Sequence, residues 1–495
     1  MRRTNRVVVI AGAAALGLGS WMAVQVLAQG AGAAQGAAGQ RAGAPAEADD
    51  PIRTLVGRLD LEKYKATLKG LTQFGDRRQG TQRNRDAVSW IQKQLESYGY
   101  TNAERIKYDP PVPTRECGPS VPASIVVARG GGAAGAGGAA GGGAAGGGGA
   151  AGGGRAGGGR GAAGGGAAGG GAAGGGAAAG GDAGAGAAAA GGQGGARIVG
   201  NRARTGVNCD PMAQPDERIR ALDSGPVIPG PVDEVYVTKV GTKYPNEMYI
   251  IGAHMDGHGY NEAVNDDGSG TALVMELARI FADPKVETER SIRFALWNGE
   301  EGGLNGARAY VAQRQALQGI ESPAGSGKYP EPKWIAMIQH DMMMWDHGMP
   351  QPVMGPDGKQ QVDAQGRPVF MAPKEQRPEA DVNVEFAITS KMADEAMKLA
   401  FVFKLAGEKY TTDYPVNVGP HMTNTDSTPF MDQIPALSLR ENERGTHTGA
   451  GWNPTWHQPI DVFETFSDKD FRLGLNAAQT TFSAVATLTG TTVKK

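Results

Sequence analysis

Between residues 235 and 439, short apolar runs alternate with amphipathic segments, and four of the runs stop at side chains that bind metals or move protons. This alternation constrains the fold more than any other feature. The four runs lie at 248–253, 291–297, 334–340 and 434–439, the last with an early proline. Between them, Leu273, Val274, Leu277, Ile280 and Phe281 share one helical face, and 305–318 and 390–406 read as further helices. Strands alternating with helices predict an α/β domain built on a mostly parallel central sheet with helices on both faces. Helical spacing also marks 59–72 and 81–97. Residues 102–108 and 124–128 read as strands, and 468–488 reads as a long closing helix. Residues 235–239 and 248–253 read as a strand pair joined by the turn at 241–246. Residues 348–370 are turn-rich and read as an excursion containing a hairpin.

The glycine excess, 79 residues, is concentrated in 130–195, which is almost wholly Gly and Ala. Such a run has no hydrophobic period and nothing to bury, so it reads as a disordered insert. Strand-like sequence on both sides makes it an interruption of one domain, with parts at 51–129 and 196–495. Arg155 and Arg160 are too sparse for an RNA-binding segment, and a net charge of −2 excludes a basic balance suited to nucleic acid. Residues 1–28 read as a signal peptide. Arg2, Arg3 and Arg6 precede an apolar stretch, and Val26-Leu27-Ala28 fits a cleavage site. An uncleaved anchor is the alternative, and only then is a membrane a partner. Residues 29–50 follow as a disordered tether. The expected address is periplasmic or secreted. Cys117 and Cys209 flank the insert and would pair in an oxidising compartment, with two buried thiols as the alternative. Two cysteines make no thiolate zinc site, so any metal must rely on His, Asp and Glu.

The strand ends carry the chemistry. The first supplies His254, with Asp266 in the loop behind it. The second ends in Glu300-Glu301, the third in Asp341, and the fourth leads to His457. If these strands are parallel neighbours, their C-terminal ends share one rim. Two histidines and four carboxylates would meet there. That cluster is too negative to stand without cations, and two divalent ions relieve it. With one acid held back as a base, five ligands remain. One carboxylate must then bridge so that each ion has three protein ligands and an open position. Taken singly, each piece has a plainer reading: a surface HxD, a turn with a helix cap at Ser269, a solvated Glu-Glu pair. Their joint occurrence at successive strand ends is what favours a site.

The set HMD, NDDGSG, NGEEGGLNGARAY, HDM and WHQPID resembles the zinc-dependent exopeptidases of the M28 family, the aminopeptidase Y and bacterial leucyl aminopeptidase group. The resemblance covers residues 51 to 495 apart from the Gly/Ala run. It implies a zinc exopeptidase-like fold, peptide substrates and two zinc ions, with manganese or cobalt as substitutes. His254 and Asp341 then correspond to the ligands of one ion, and Glu301 and His457 to those of the other. Asp266 corresponds to the bridge, Glu300 to the general base, and Asp256 to the acid that orients His254. The family commonly has a cis peptide after the bridging acid. The remaining histidines, His258 and His340 among them, match no ligand position and read as structural or rim residues. One departure is the stretch 425–430, where Ser427 stands in place of a family histidine and nearby His421 is a candidate substitute. Glutaminyl cyclase-like and carboxypeptidase-like enzymes share this scaffold, and non-enzymatic relatives retain the fold but lose ligands.

Overall fold

The chain enters through three helices, α1 (Pro51–Val56), α2 (Leu61–Leu71) and α3 (Gln82–Ser97), and a strand, β1 (Glu104–Tyr108). These belong to a computed structural model that describes residues 50–111, 207–345, 353–362, 381–411, 413–420, 422, 425–441, 453 and 455–494. Helix α2 starts where the Asp60 carboxylate accepts the backbone N–H groups of Glu62 and Lys63. Then come α4 (Glu217–Asp223), β2 (Val232–Lys239), β3 (Tyr244–His254), the irregular turn Val264–Ser269 and α5 (Gly270–Phe281). Beyond it lie β4 (Val286–Glu287), β5 (Arg290–Trp297), α6 (Asn305–Arg314), β6 (Lys333–His340) and β7 (Val382–Phe386). The described chain closes with α7 (Ala393–Tyr410), β8 (Val416–Gly419), β9 (Ala436–Glu441), α8 (Asp468–Leu488) and β10 (Thr492–Val493).

Eight strands form one sheet in the order β1-β2-β5-β3-β6-β9-β7-β8. The central four, β5, β3, β6 and β9, are parallel throughout. β1, β2 and β7 join through antiparallel pairings, and β8 lies parallel to β7. The α/β architecture and the parallel core match the sequence expectation. The strand pair does not: β2 and β3 are consecutive in the chain, but β5 lies between them. The turn at 241–246 therefore joins strands that pair with opposite edges of β5. Its Gly241 packs so tightly on the Arg290 backbone that a Cβ would come within 2.5 Å.

Both faces are covered. Tyr249, Ile251 and Ala253 of β3 face the larger core with α2, α3, α5, α7 and α8, while Met248 and Ile250 face a smaller one with α6. In the smaller core, Phe430 contacts the rings of Trp297, Tyr310 and Trp334. The long closing helix falls at the expected residues, capped by reciprocal bonds between Ser467 and Asp470. Of the turn-rich excursion, residues 353–362 are described and include a two-residue bridge, Met354 to Gln360. The signal segment, the tether up to residue 49, the strand at 124–128 and the Gly/Ala run lie outside the described residues. Cys209 is disulfide-bonded, and the chain's other cysteine, Cys117, lies outside them. No helix among the described residues is long and apolar enough to cross a membrane.

Candidate metal centre

The parallel core places the ends of β3, β5, β6 and β9 on one rim, and the loops there converge. His254 is the last residue of β3 and is buried. Its Nδ1–H donates to the backbone carbonyl of Asp256 at 3.0 Å, which leaves Nε2 facing Asp266 Oδ1 at 3.4 Å and Asp341 Oδ1 at 3.9 Å. The Asp256 carboxylate lies 3.8 Å from Nδ1 and is engaged elsewhere. Its Oδ1 accepts the backbone N–H groups of Gly299 and Glu300, at 2.7 and 3.1 Å. The sequence reading gave the orienting role to the acid group. In the structure the carbonyl orients the histidine, and the carboxylate fixes the loop that carries Glu300.

Asp266 sits between two groups of ligand-type side chains. Its Oδ1 faces His254, and its Oδ2 faces His457 Nε2 at 3.2 Å. On one side, donor atoms of His254, Glu300 and Asp341 lie within 4.8 Å of one another. On the other, those of His258, Glu301 and His457 do. All seven predicted site residues are therefore brought together on one rim. The Asp266–Asp267 peptide is cis, as the resemblance implies.

Neighbouring groups hold this constellation by its backbone. Asp461, from the WHQPID stretch, accepts the N–H of Asn265 at 2.8 Å and that of Asp266 at 3.1 Å. Asp267 accepts from the backbone of His254, Gly270 and Met342, so it ties the end of β3, the start of α5 and the loop after β6. Its role is in assembly, which no ligand pattern announces. Arg440 on β9 donates to Asp341 Oδ2 at 2.7 Å, leaving Oδ1 toward His254. Glu385 on β7 lies 3.9 Å from the same guanidinium.

Arg77 acts on the loop behind β3. Its buried guanidinium donates to the carbonyls of Gly75, Met255, Glu262 and Ala263 at 2.7 to 3.0 Å. Arg77→Met would strand buried acceptors and the acids nearby. It is expected to lower the unfolding free energy by about 3 kcal/mol or more, read from urea melts.

The electrostatics are those of a cation site. Burial, with Glu301, Asp426 and Asp341 adding to it, pushes the Glu300 carboxyl well up, against the opposing pull of His254. Burial opposes charging His457, yet Glu301 and Asp266 outweigh it and raise its pKa to about 10. Glu301 goes the other way: burial alone would raise it, but His258 and His457 bring it down to about 2. Asp266 Oδ2, Glu301 Oε1 and His258 Nε2 are buried and make no hydrogen bond among the described residues. Buried acceptors and imidazole nitrogens left unbonded and facing one another fit divalent cations.

Two histidines fall differently. His340 is structural, as alternation along β6 predicts. Its Nδ1–H donates to Gly252 O, its Nε2 accepts from Thr481 Oγ1, and burial lowers its pKa to about 4. His258, expected as a bystander, stands in the site with Nε2 3.1 Å from Glu301 Oε2. Its position four residues after His254 was the available signal. Ser427 turns to Met422, with Oγ 3.2 Å from Sδ, and His421 lies outside the described residues.

Residues 234–479 match peptidase family M28. A carboxypeptidase Q of Xenopus laevis is 30% identical over 83 residues, 17% of this chain and 18% of that protein. An aminopeptidase of Pseudomonas aeruginosa is 40% identical over 67 residues, 14% of this chain and 12% of that protein. The chain thus matches less than a fifth of the length of either relative. The solved aminopeptidase from Aneurinibacillus sp. strain AM-1 superposes with a TM-score of 0.46 at 17% identity, covering 88% of this chain and 95% of that one. With the five HMD-to-WHQPID motifs on one rim and the match over residues 234–479, the chain carries a peptidase family M28 domain.

Proposed function

We propose that the protein is a two-metal aminopeptidase that removes residues from the free N-terminus of peptides. One observation carries the reading. The two carboxylate oxygens of Asp266 face two separate groups of ligand-type side chains, with Glu300 beside them. His254 and Asp341 would hold one ion, Glu301 and His457 the other, and Asp266 both. When bound, zinc, or manganese or cobalt in its place, supplies Lewis acidity and lowers the pKa of water.

The chain's own part centres on Glu300. Its carboxylate takes a proton from the attacking water as oxygen adds to the scissile carbonyl carbon. It returns that proton to the amine as the C–N bond breaks. Asp256 holds the Glu300 backbone, and burial makes the side chain a readier proton acceptor. Arg440 keeps one oxygen of Asp341 occupied and so sets which oxygen faces His254. The Pseudomonas aeruginosa relative supports the amino-terminal direction. Export belongs to the same reading and rests on residues 1–28.

The test is a panel of aminoacyl anilides and peptides, each with a free or acetylated amine, assayed on secreted enzyme of measured intact mass and metal content. Free-amine substrates should be cleaved and acetylated ones spared. A chelator should abolish cleavage and added zinc restore it, and the mass should begin after residue 28. Release from the carboxyl end, or cyclisation of N-terminal glutamine peptides, would replace the aminopeptidase reading. Chelator-resistant hydrolysis would end it.

A further inference from the structure

His258 lies outside the five ligands proposed above, yet its geometry is that of a sixth. Its Nε2 lies 3.1 Å from Glu301 Oε2, the same oxygen that His457 Nε2 approaches at 3.0 Å. The two imidazoles meet edge to face, with centroids 4.4 Å apart and planes at 88°. Nε2 of His258 is buried and, despite its short approach to Glu301, meets no hydrogen-bond partner among the described residues. Donor atoms of His258, Glu301 and His457 all lie within 4.8 Å of one another.

The backbone fixes this arrangement. Asn261 Nδ2 donates to the carbonyls of His258 and Gln458, both at 3.0 Å, and so clips the His258 loop to the His457 loop. Gly259 has φ +115°, and a Cβ there would come within 2.6 Å of the His457 carbonyl. No other residue type permits so close an approach. His258 and His457 are therefore held as a pair.

We propose that His258 is a ligand of the ion at Glu301 and His457, which makes the two metal positions unequal. This rests on the two-metal reading above. One ion would have His258, His457 and Glu301 plus its share of Asp266. The other would have only His254 and Asp341 plus the same share. The His258 side then holds its ion more tightly, and the His254 side keeps more open positions for water and substrate.

Cobalt(II) substitution tests this without any activity readout. A histidine bound to paramagnetic cobalt gives one exchangeable ring N–H proton signal shifted far from the ordinary range. With two equivalents of cobalt bound, three such signals are expected, from His254, His457 and His258; the H258A variant should show two. In chelator competition, H258A and H258Q should each weaken one equivalent by at least about 100-fold, beyond the range for losing only an outer partner of a ligand, and leave the other unchanged. Two cobalt ions with two histidine signals in the unaltered protein would overturn the proposal and leave the two-metal reading standing. So would full affinity in H258Q. A protein that binds fewer than two ions would remove both readings together. The signal count in the unaltered protein needs no variant to fold.

Discussion

Glu300→Gln is expected to lower turnover by about 10²- to 10⁴-fold while both ions stay bound. The amide matches the carboxylate in size, and the backbone N–H that Asp256 holds is untouched. What is lost is the ability to take a proton from water and give it to the leaving amine. The arrangement also contains a competing role, because Glu300 donor atoms lie within 4.8 Å of those of His254 and Asp341. A ligand and a base respond differently. If Glu300 were the ligand, the glutamine variant would lose an ion, and added zinc at high concentration would restore part of the activity. Metal quantification beside single-turnover hydrolysis separates the two. Two ions per chain with slow chemistry is the expected result, and near-normal turnover would remove Glu300 from the base role.

The sequence carried the fold where burial follows a simple period. β3, β5 and β6 are apolar on both faces because cores lie on both, so they read as continuous runs ending at ligand-type residues. β7 did not read as a strand. Asp381 just before it and its Asn383 and Glu385 suggest a solvated surface, yet all three are buried, and Glu385 lies near the buried Arg440. A buried charged pair looks like surface until its partner, 55 residues away in number, is placed. Strand pairing failed for a related reason. A short turn between β2 and β3 suggests a hairpin, but the insertion of β5 depends on contacts that no local pattern encodes.

In the site, side chains that announce themselves by type and spacing were legible, and supporting groups were not. Arg77 and Asp267 act through backbone atoms of distant residues. His258 was legible in principle, since it follows His254 by four residues. Its relation to His457 depends on a loop closing through Gly259 and Asn261.

Asp266→Ala should have the widest effect of any single substitution, because it removes a group that faces both halves of the site. Oδ1 lies 3.4 Å from His254 Nε2, and Oδ2 lies 3.2 Å from His457 Nε2. Without the carboxylate each ion loses a ligand, and the charge that balances two dications falls as well. Both affinities should drop by at least about 100-fold, beyond the range seen when only an outer partner of a ligand is lost. Peptidase activity should fall to background. The turn itself should survive, because Asp461 grips the backbone N–H of residue 266 and not its side chain. A far-ultraviolet spectrum like that of the parent would confirm that the loss is local. Asp341→Ala provides the contrast: it should weaken only the ion beside His254. Metal analysis after dialysis distinguishes these cases. Loss of both ions in the first variant and of one in the second is expected. A full-affinity ion retained in Asp266→Ala would mean that Asp266 serves one side only, and the bridge would have to be sought among the remaining carboxylates, Glu300, Glu301 and Asp341.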